Sequence, residues 1–515
     1  MSLNRRDLLQ RSGGMLAAGT PALGTLLWSA PARAAIGDTL TVAYNAMPPS
    51  WDPNLGVHAV NPTLQTILRT LYDPLITQNE DLSLAPGVID QFSWNAEKTR
   101  MTLRLRTGVK WQDGTPLTPA DIEWNLKRFG EKGANVLAPI WSSIKNIRVA
   151  GQNISFDVEP YRANMLQRLT FLCCYLIPRH HYEKVGKEGF EKQPMGSGPY
   201  MLEQFERGAY ARFKANPHYW GPKPAFENVV FKFVTDPTSR VAEIERGTSD
   251  LTMDIPYEEY DRLIKRPGLA GTIGPITDVS ILFFNSNGVM EDINVRKAAV
   301  HAIDKKAIVD RLHRGYGTSV DTLLAPQYLG FDASIRTPYD PKLAAELLAK
   351  SGYSTSKPVE FTIQTTRGYK PKDYETMQAI VEMWRRVGIK ANLEVYDIAK
   401  QFELRSQHKL APAAFYNWGN ATADPESSLG SAMQSTSVFS SWKSKDVDER
   451  MIPLFSERDD AKRLEGYKAL NRYIAEQAYI LPLFQYHLPV VFKAELNHKH
   501  HMAGFVLPAT ITRKS

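Results

Sequence analysis

The chain has 515 residues, 43% of them hydrophobic and 23% charged, with no low-complexity tract, which excludes a disordered or fibrous protein. The net charge is +7, but the first 34 residues hold four arginines against Asp7, leaving only +4 for the rest. No dense lysine or arginine stripe remains, so nucleic acid is not an expected partner.

The N-terminus carries the pair Arg5-Arg6, a weakly apolar run rich in glycine and alanine, and Ala32-Arg33-Ala34, a small-residue cleavage pattern. This resembles a twin-arginine export signal. Residues 1–34 are therefore expected to be removed, with a mature start near Ala35 and a periplasmic location. No cysteine follows the apolar run, so no lipid anchor is expected. No later stretch reaches the 18 uninterrupted apolar residues of a membrane-spanning helix.

Further along, TLTVAYNA (39–46) alternates as a strand. A helix follows, with Asn61 as its cap and Pro62 in its first position; Leu64, Ile67, Leu68 and Leu71 share one face. RMTLRLRTGVKWQDGTPLT gives two strand-like pieces and a turn at 113–116. TPADIEWNLKRF opens a helix capped by Thr118, with Pro119 first and Asp121 reaching back to the cap. Hairpins are expected at 146–159 and at 199–216, the second turning at Arg207-Gly208. Cys173 and Cys174 are neighbours; a bridge between them fits disulfide geometry poorly, so two buried free thiols are expected. From about residue 290, helices alternate with single strands: YDPKLAAELLAKSGY, VEFTIQTT, KDYETMQAIVEMWRRVG, IKANLEVYD, IAKQFELRSQHK, LAPAAFYNW. That alternation is α/β, a sheet flanked by helices. At least two lobes follow, and the cleft between them is the default ligand site.

Catalytic signatures are missing: no H-E-x-x-H, no G-x-S-x-G, no phosphate-binding loop. MGSGPY (195–200) introduces a strand and reads as a turn. His498, His500 and His501 lack an acid or cysteine at ligand spacing, so a solvated loop is favoured over a metal site. Neither a catalytic residue, a metal nor a cofactor is expected, which argues against an enzyme; a secreted hydrolase would need a nucleophile or metal set not found. Ten tryptophans and 22 tyrosines, some at strand ends, suit a cleft that grips a small solute.

LRTGVKWQDGTPLTPADIEW, within residues 71–129, resembles the extracellular solute-binding proteins of family 5, the dipeptide, oligopeptide and nickel-type receptors of ABC importers. The resemblance continues through PMGSGPYMLEQFERGAYARFKANPHYWGPKP (194–224), FNSNGVMEDINVRKAAVHAIDKKAIV (284–309) and YDPKLAAELLAKSGY (339–353). It implies a two-lobed periplasmic-binding-protein clamp, type II-like with an extra inserted domain. Domain I would combine 35–75, 195–275 and 486–515; domain II would be an insertion at 76–194; domain III would be the α/β lobe 276–485. It also implies a monomer that carries a small peptide or peptide-like, carboxylate-bearing solute to permease subunits in the inner membrane. A nickel, metallophore, opine or glycoside receptor is the alternative.

The loop WGNATADPESSL (418–429) bears on the solute. Peptide-binding relatives place an aspartate four residues before this proline, to pair with the peptide's ammonium; here that position is Ala421. Asp424, directly before Pro425 and Glu426, reads as a helix starter. QTTRGYKPKD (364–373) resembles the segment that supplies a carboxylate-binding arginine, which places Arg367 in that role. Tyr44, Trp51, Tyr416, Asn417, Trp418 and Asn420 are the other expected wall residues. A carboxylate anchor without an ammonium site predicts that ordinary dipeptides bind poorly and amine-blocked ones better; Glu426 or another acid in the cleft would reverse this.

Overall fold

The computed structural model describes residues 37–55, 61–131, 138–171, 174–437, 439–440 and 442–514. The expected signal segment and Cys173 lie outside them. Cys174 is a buried free thiol, pushed up to about 12 by burial.

Among the described residues, an eleven-stranded sheet runs through the molecule. From one edge its order is Ile389–Val395, Val359–Thr365, Ala413–Gly419, Leu269–Phe284, Ile480–Lys493, Leu251–Met253, Thr39–Tyr44, Asn228–Phe233, Tyr210–Ala215 and Tyr200–Glu206; Thr318–Ser319 joins Ile480–Lys493 off this path. At the first edge the pairing is parallel, as the helix–strand alternation requires. At the other, the expected hairpin of Tyr200–Glu206 and Tyr210–Ala215 is antiparallel. Thr39–Tyr44 lies parallel to both Asn228–Phe233 and Leu251–Met253, a long-range pairing with no local signature.

The two central strands are the longest, with 16 and 14 residues, and they pair antiparallel along most of their length. Their register shifts between Pro275 and Val279, opposite His487 and Gln485. A bulge of this kind bends a strand and releases its residues from the ladder. A separate four-stranded sheet, Ile89–Trp94, Arg100–Leu105, Asn153–Val158 and Ile144–Ala150, has its own core around Trp111, Trp141 and Phe156. Helix Pro119–Phe129 packs on it, and its capping box forms as expected: Asp121 N donates to Thr118 Oγ1, while Asp121 Oδ2 accepts from Thr118 N at 2.9 Å. No helix among the described residues is long and apolar enough to cross a membrane.

The C-terminal histidines do not form a solvated loop. His501 is buried, His498 Nδ1 lies 2.9 Å from Thr272 Oγ1, and His500 Nε2 lies 2.8 Å from the Pro275 carbonyl. The segment packs against the strand just before its bulge, with His498 and His500 half-buried and Lys499 between them exposed. Among the described residues no three or more histidine, cysteine or acidic side chains are grouped to hold a metal ion.

Candidate ligand-binding site

Unpaired with Ile480–Lys493 at the bulge, Ile276, Thr277 and Asp278 line a cavity of about 140 Å³, while Asp278 stays in register with Gly419 on its other side. Helix Pro62–Leu71 begins on the facing wall. Asn61 caps it, with Oδ1 accepting from Thr63 N and Leu64 N, and its Nδ2 donates across the cleft to Tyr369 Oη at 3.3 Å. One residue therefore starts a helix and touches the opposite flank.

Three charged side chains line this cavity. Arg405, on helix Ile398–Ser406, is only 5% exposed. Its Nε and Nη2 donate to the Phe439 carbonyl at 3.0 and 2.5 Å, and its Cζ lies 4.5, 4.6 and 4.8 Å from the ring centroids of Phe283, Tyr416 and Trp418. No carboxylate among the described residues pairs with it. Burial pulls this guanidinium down to about 10, so it is still charged at neutral pH. A cation held against aromatic faces without an anion is partly compensated by the ring quadrupoles, and it presents strong donors to any anion that enters.

Lys370 Nζ lies 3.3 Å from Asp278 Oδ2 and 3.9 Å from Asp254 Oδ2. Burial by itself would lower the lysine, but Asp254 and Asp278 together outweigh it and hold the ammonium above its usual range. Burial raises the Asp278 carboxyl, and Lys370 offsets only part of that. Asp254 also accepts from Asn45 Nδ2 at 2.7 Å and Tyr486 Oη at 3.2 Å. One ammonium thus lies between two carboxylates, and the buried Arg240 guanidinium stands beside Asp254 as well, donating to its carbonyl at 2.7 Å.

Of the wall residues expected from sequence, Asn417, Trp418 and Asn420 line the cavity. Tyr416 lies under Arg405 and donates to the Gln401 carbonyl at 2.8 Å. Tyr44 is fully buried behind the wall, donating to the Thr63 carbonyl at 2.5 Å. Trp51 sits in the core, edge-on to Phe205 and Phe213, because its loop folds back under the hairpin that carries them. Ala421 is fully buried, and its carbonyl accepts from Gln78 Nε2. Arg367 is exposed, its guanidinium 3.8 Å from the Tyr374 ring, and it borders a different pocket. The tight turn at Gly368 (φ +80°) carries the chain from Arg367 outside to Lys370 inside.

Asp424 does start a helical segment, since its Oδ1 accepts from Glu426 N at 2.9 Å; it also takes both guanidinium nitrogens of Arg463 at 2.7 and 2.8 Å. Glu426 is held by Arg168 at 2.6 Å. Asp278, Lys370 and Arg405 went unnoticed in the sequence. Arg405 did leave a trace: it continues the stripe of Ile398 and Phe402 at helical spacing, a charge on an otherwise apolar face. Asp278, an acid within the apolar run of a strand, left a similar one. Lys370 left none.

The family model for bacterial extracellular solute-binding proteins, family 5 (middle region), matches residues 83–440. The chain belongs to this family. The glutathione-binding protein GsiB of Escherichia coli O6:K15:H31 (strain 536 / UPEC) is 26% identical over 479 residues, which cover 88% of this chain and 90% of that protein. The dipeptide-binding protein of Pseudoalteromonas sp. SM9913, solved with Met-Leu, superimposes with a TM-score of 0.84 at 21% identity, covering 92% of this chain and 100% of that one. NikA from Staphylococcus aureus, solved with Ni(L-His)2, gives 0.82 at 17% identity, covering 93% and 100%. The fold of this family 5 protein is the two-lobed clamp of these binding proteins, and the long strands Leu269–Phe284 and Ile480–Lys493 run through the middle of its large sheet.

Proposed function

We propose that this family 5 protein captures a small peptide-like solute through its carboxylate and delivers it to the permease of an ABC importer. The observation that carries the reading is Arg405, a buried cavity-lining guanidinium with no carboxylate partner among the described residues. The solute supplies the missing anion. The volume sets a scale: about 140 Å³ is close to the ~150 Å³ that admits a benzene-sized guest elsewhere. The enclosed part of the solute is then about the size of one small amino acid, and the rest of a dipeptide would extend beyond it. Relatives named for dipeptides and for glutathione bind solutes of this chemistry.

Capture works by population shift. A solute that touches Arg405 and Trp418 on one flank and Asn61 and Thr63 on the other makes all its contacts only when the clamp is shut, so it stabilises that state. We take the register break at Pro275–Val279 as the bending point, on the proposed domain boundaries 275/276 and 485/486. Export by the twin-arginine route, residence in the periplasm as a monomer and absence of catalysis complete the reading.

Asp278 changes one expectation. With an acid in the cavity wall a free ammonium has a counter-charge, so blocking the amine is expected to bring no gain. Calorimetric titration with a dipeptide, its N-acetyl form and its C-terminal amide tests the anchor. Amidation, or Arg405→Gln, is expected to cost about 3 kcal/mol, roughly a hundredfold in affinity. An amide that binds as tightly as the free acid would sink the carboxylate reading. A metal chelate with carboxylate ligands would use the same guanidinium, and elemental analysis of the purified protein separates that case.

A further inference from the structure

Residues 498–506 fold back over the ligand cavity. Ala503 and Gly504 line it, and the Met502 carbonyl accepts from Thr277 N at 2.7 Å, on the stretch of strand left unpaired at the bulge. At its far end the segment is pinned by Val506 N, which donates to Thr66 Oγ1 at 3.2 Å, and by the buried side chains of Phe505 and Val506. At its near end it is held by His498, His500 and His501.

Each of these rings fits its place only in the neutral form. His500 Nε2 donates to the Pro275 carbonyl at 2.8 Å, since a carbonyl only accepts; Nδ1 is then bare, buried and without a partner. His498 Nδ1 meets Thr272 Oγ1 at 2.9 Å, and its Nε2 is likewise buried and unpartnered. His501 Nδ1 accepts from Ala503 N at 3.1 Å, so a proton there would break that bond. A second proton on any of the three either enters a place with no acceptor or displaces a donor, and it is disfavoured for as long as the segment stays down. Burial is the largest cause: it pushes His498 down to about 4 and His501 down to about 3, and it lowers His500 too. The neighbouring charges mostly act in the same direction. His487, on Ile480–Lys493 opposite Pro275, is in electrostatic reach of His500, and Arg69 of helix Pro62–Leu71 is in reach of His501. Asp81 acts the other way on His501, and the exposed Lys499 lies 4.0 Å from Glu80.

We propose that residues 498–506 are an acid-released strap: the three histidines take up protons only when the segment lifts, and lifting removes Ala503 and Gly504 from the cavity wall, so that bound solute leaves. The lifting stands on the histidine geometry alone, whereas the loss of solute rests on the reading of this cavity as the binding site. Once lifted, the rings protonate near pH 6.5, so below that pH each shifts the balance toward the lifted form by about tenfold per pH unit. The lifted form begins as a minor state, and solute is lost only in stronger acid, below about pH 5.

The Thr277 amide reports the strap from outside it, because its acceptor is the Met502 carbonyl. Hydrogen exchange in the solute-free, full-length mature protein is expected to show its protection factor falling at least a hundredfold between pH 6.5 and pH 5. In the triple variant His498→Gln, His500→Gln and His501→Gln, whose amides can reproduce the neutral hydrogen bonds, the fall is expected to be less than tenfold. His500→Gln alone should remove about thirtyfold of it, one ring's share of that interval, and decides the matter if the triple variant does not fold. A protection factor that holds steady in the parent, or drops as steeply in the variants, would overturn the strap. At pH 4.5, with strand Arg100–Leu105 still protected, bound glycyl-leucine is expected to dissociate at least tenfold faster from the parent than from the triple variant; equal rates would overturn the link between strap and solute. If glycyl-leucine binds neither protein at pH 7, the reading of the cavity fails, and exchange at Thr277 still decides the strap.

Discussion

Arg463 and Arg405 are buried to nearly the same degree, 4% and 5% exposed, yet they live in opposite electrostatic settings. Arg463 grips Asp424 through two hydrogen bonds at the loop where the relatives' ammonium-binding acid was sought. Arg405 has a carbonyl and aromatic faces, and borders the cavity. Burying a charge is costly unless it is paired and hydrogen-bonded. Where the chain itself provides the pair, the charge belongs to the architecture. Where it does not, the proposed reading assigns the pairing to the solute. The acid in WGNATADPESSL is of the first kind, although its loop contributes Trp418 and Asn420 to the cavity wall.

The strongest way to break this comparison is to remove each arginine in turn. Arg463→Leu strands the Asp424 carboxylate in the interior and is expected to cost about 3–5 kcal/mol, read as a fall in urea midpoint and Tm. Replacing both partners together, Arg463→Met with Asp424→Leu, is expected to recover most of that loss, because no unpaired charge remains. Arg405→Gln is expected to leave stability within about 1 kcal/mol of the parent, since it deletes a desolvated charge that no acid balances. A Tm drop for Arg405→Gln as large as that for Arg463→Leu would erase the distinction between the two.

Much of the fold was open to this kind of reading because its signals are local. Asn61 with Pro62 and the Thr118–Asp121 box each fix a helix end within a few residues, and both stand where the sequence puts them; Asp340 with Pro341, and Gly352 at φ +79°, bound helix Pro341–Lys350 in the same local way. The hairpin turning at Arg207-Gly208 is equally local. The site is not. Asp424 meets Arg463 39 residues away, and Lys370 meets Asp254 from a different part of the chain. The bulge that turns Asp278 into the cavity exists only because two strands some 200 residues apart share a register. The resemblance brought attention to the loop after Val359–Thr365, whose Tyr369 and Lys370 line the cavity, but Gly368 reverses the chain there, so the exposed cation is Arg367 and the buried one Lys370.

Acid should separate architecture from site in a second way. His313 is 1% exposed, 4.4 Å from the Phe484 ring centroid and 3.0 Å from Thr376 Oγ1; His501 is 7% exposed. Burial keeps each neutral and pushes each down to about 3. In the unfolded chain both protonate near pH 6.5, so that state binds more protons as pH falls. Their neutral forms cost nothing above pH 6.5, and below it stability is lost at about 1.4 kcal/mol per pH unit for each, or about 2 kcal/mol each by pH 5. Chemical denaturation at pH 7 and pH 5 should show this, and His313→Gln should remove one histidine's share of the slope. Affinity for an N-acetyl solute, measured where the fold is intact, should not fall over the same range, because Arg405 stays charged and any proton taken up by the raised Asp278 removes a negative charge from the wall. Because burial raises the Asp73 carboxyl to about 7, which acts with the opposite sign over this range, the decisive result is the variant: an unchanged slope in His313→Gln would mean that this ring is not kept neutral by burial.

Arg367 supplies the smallest effect and the sharpest control. It lies three residues before the cavity lysine, carries the same charge as Arg405, and is the arginine that family resemblance picks out. Yet its guanidinium lies in water over Tyr374 and borders another pocket. A cation exposed to solvent interacts with a solute in the cleft only through a high dielectric and a screening length of about 8 Å at physiological salt. Arg367→Ala should therefore change stability by less than about 0.5 kcal/mol and solute affinity by less than about twofold, with at most a modest fall in association rate at low salt. A hundredfold loss of affinity would place the carboxylate at Arg367 after all. That outcome would require the 366–372 turn to swing inward when solute binds, and it would return Arg405 to a packing role among its rings.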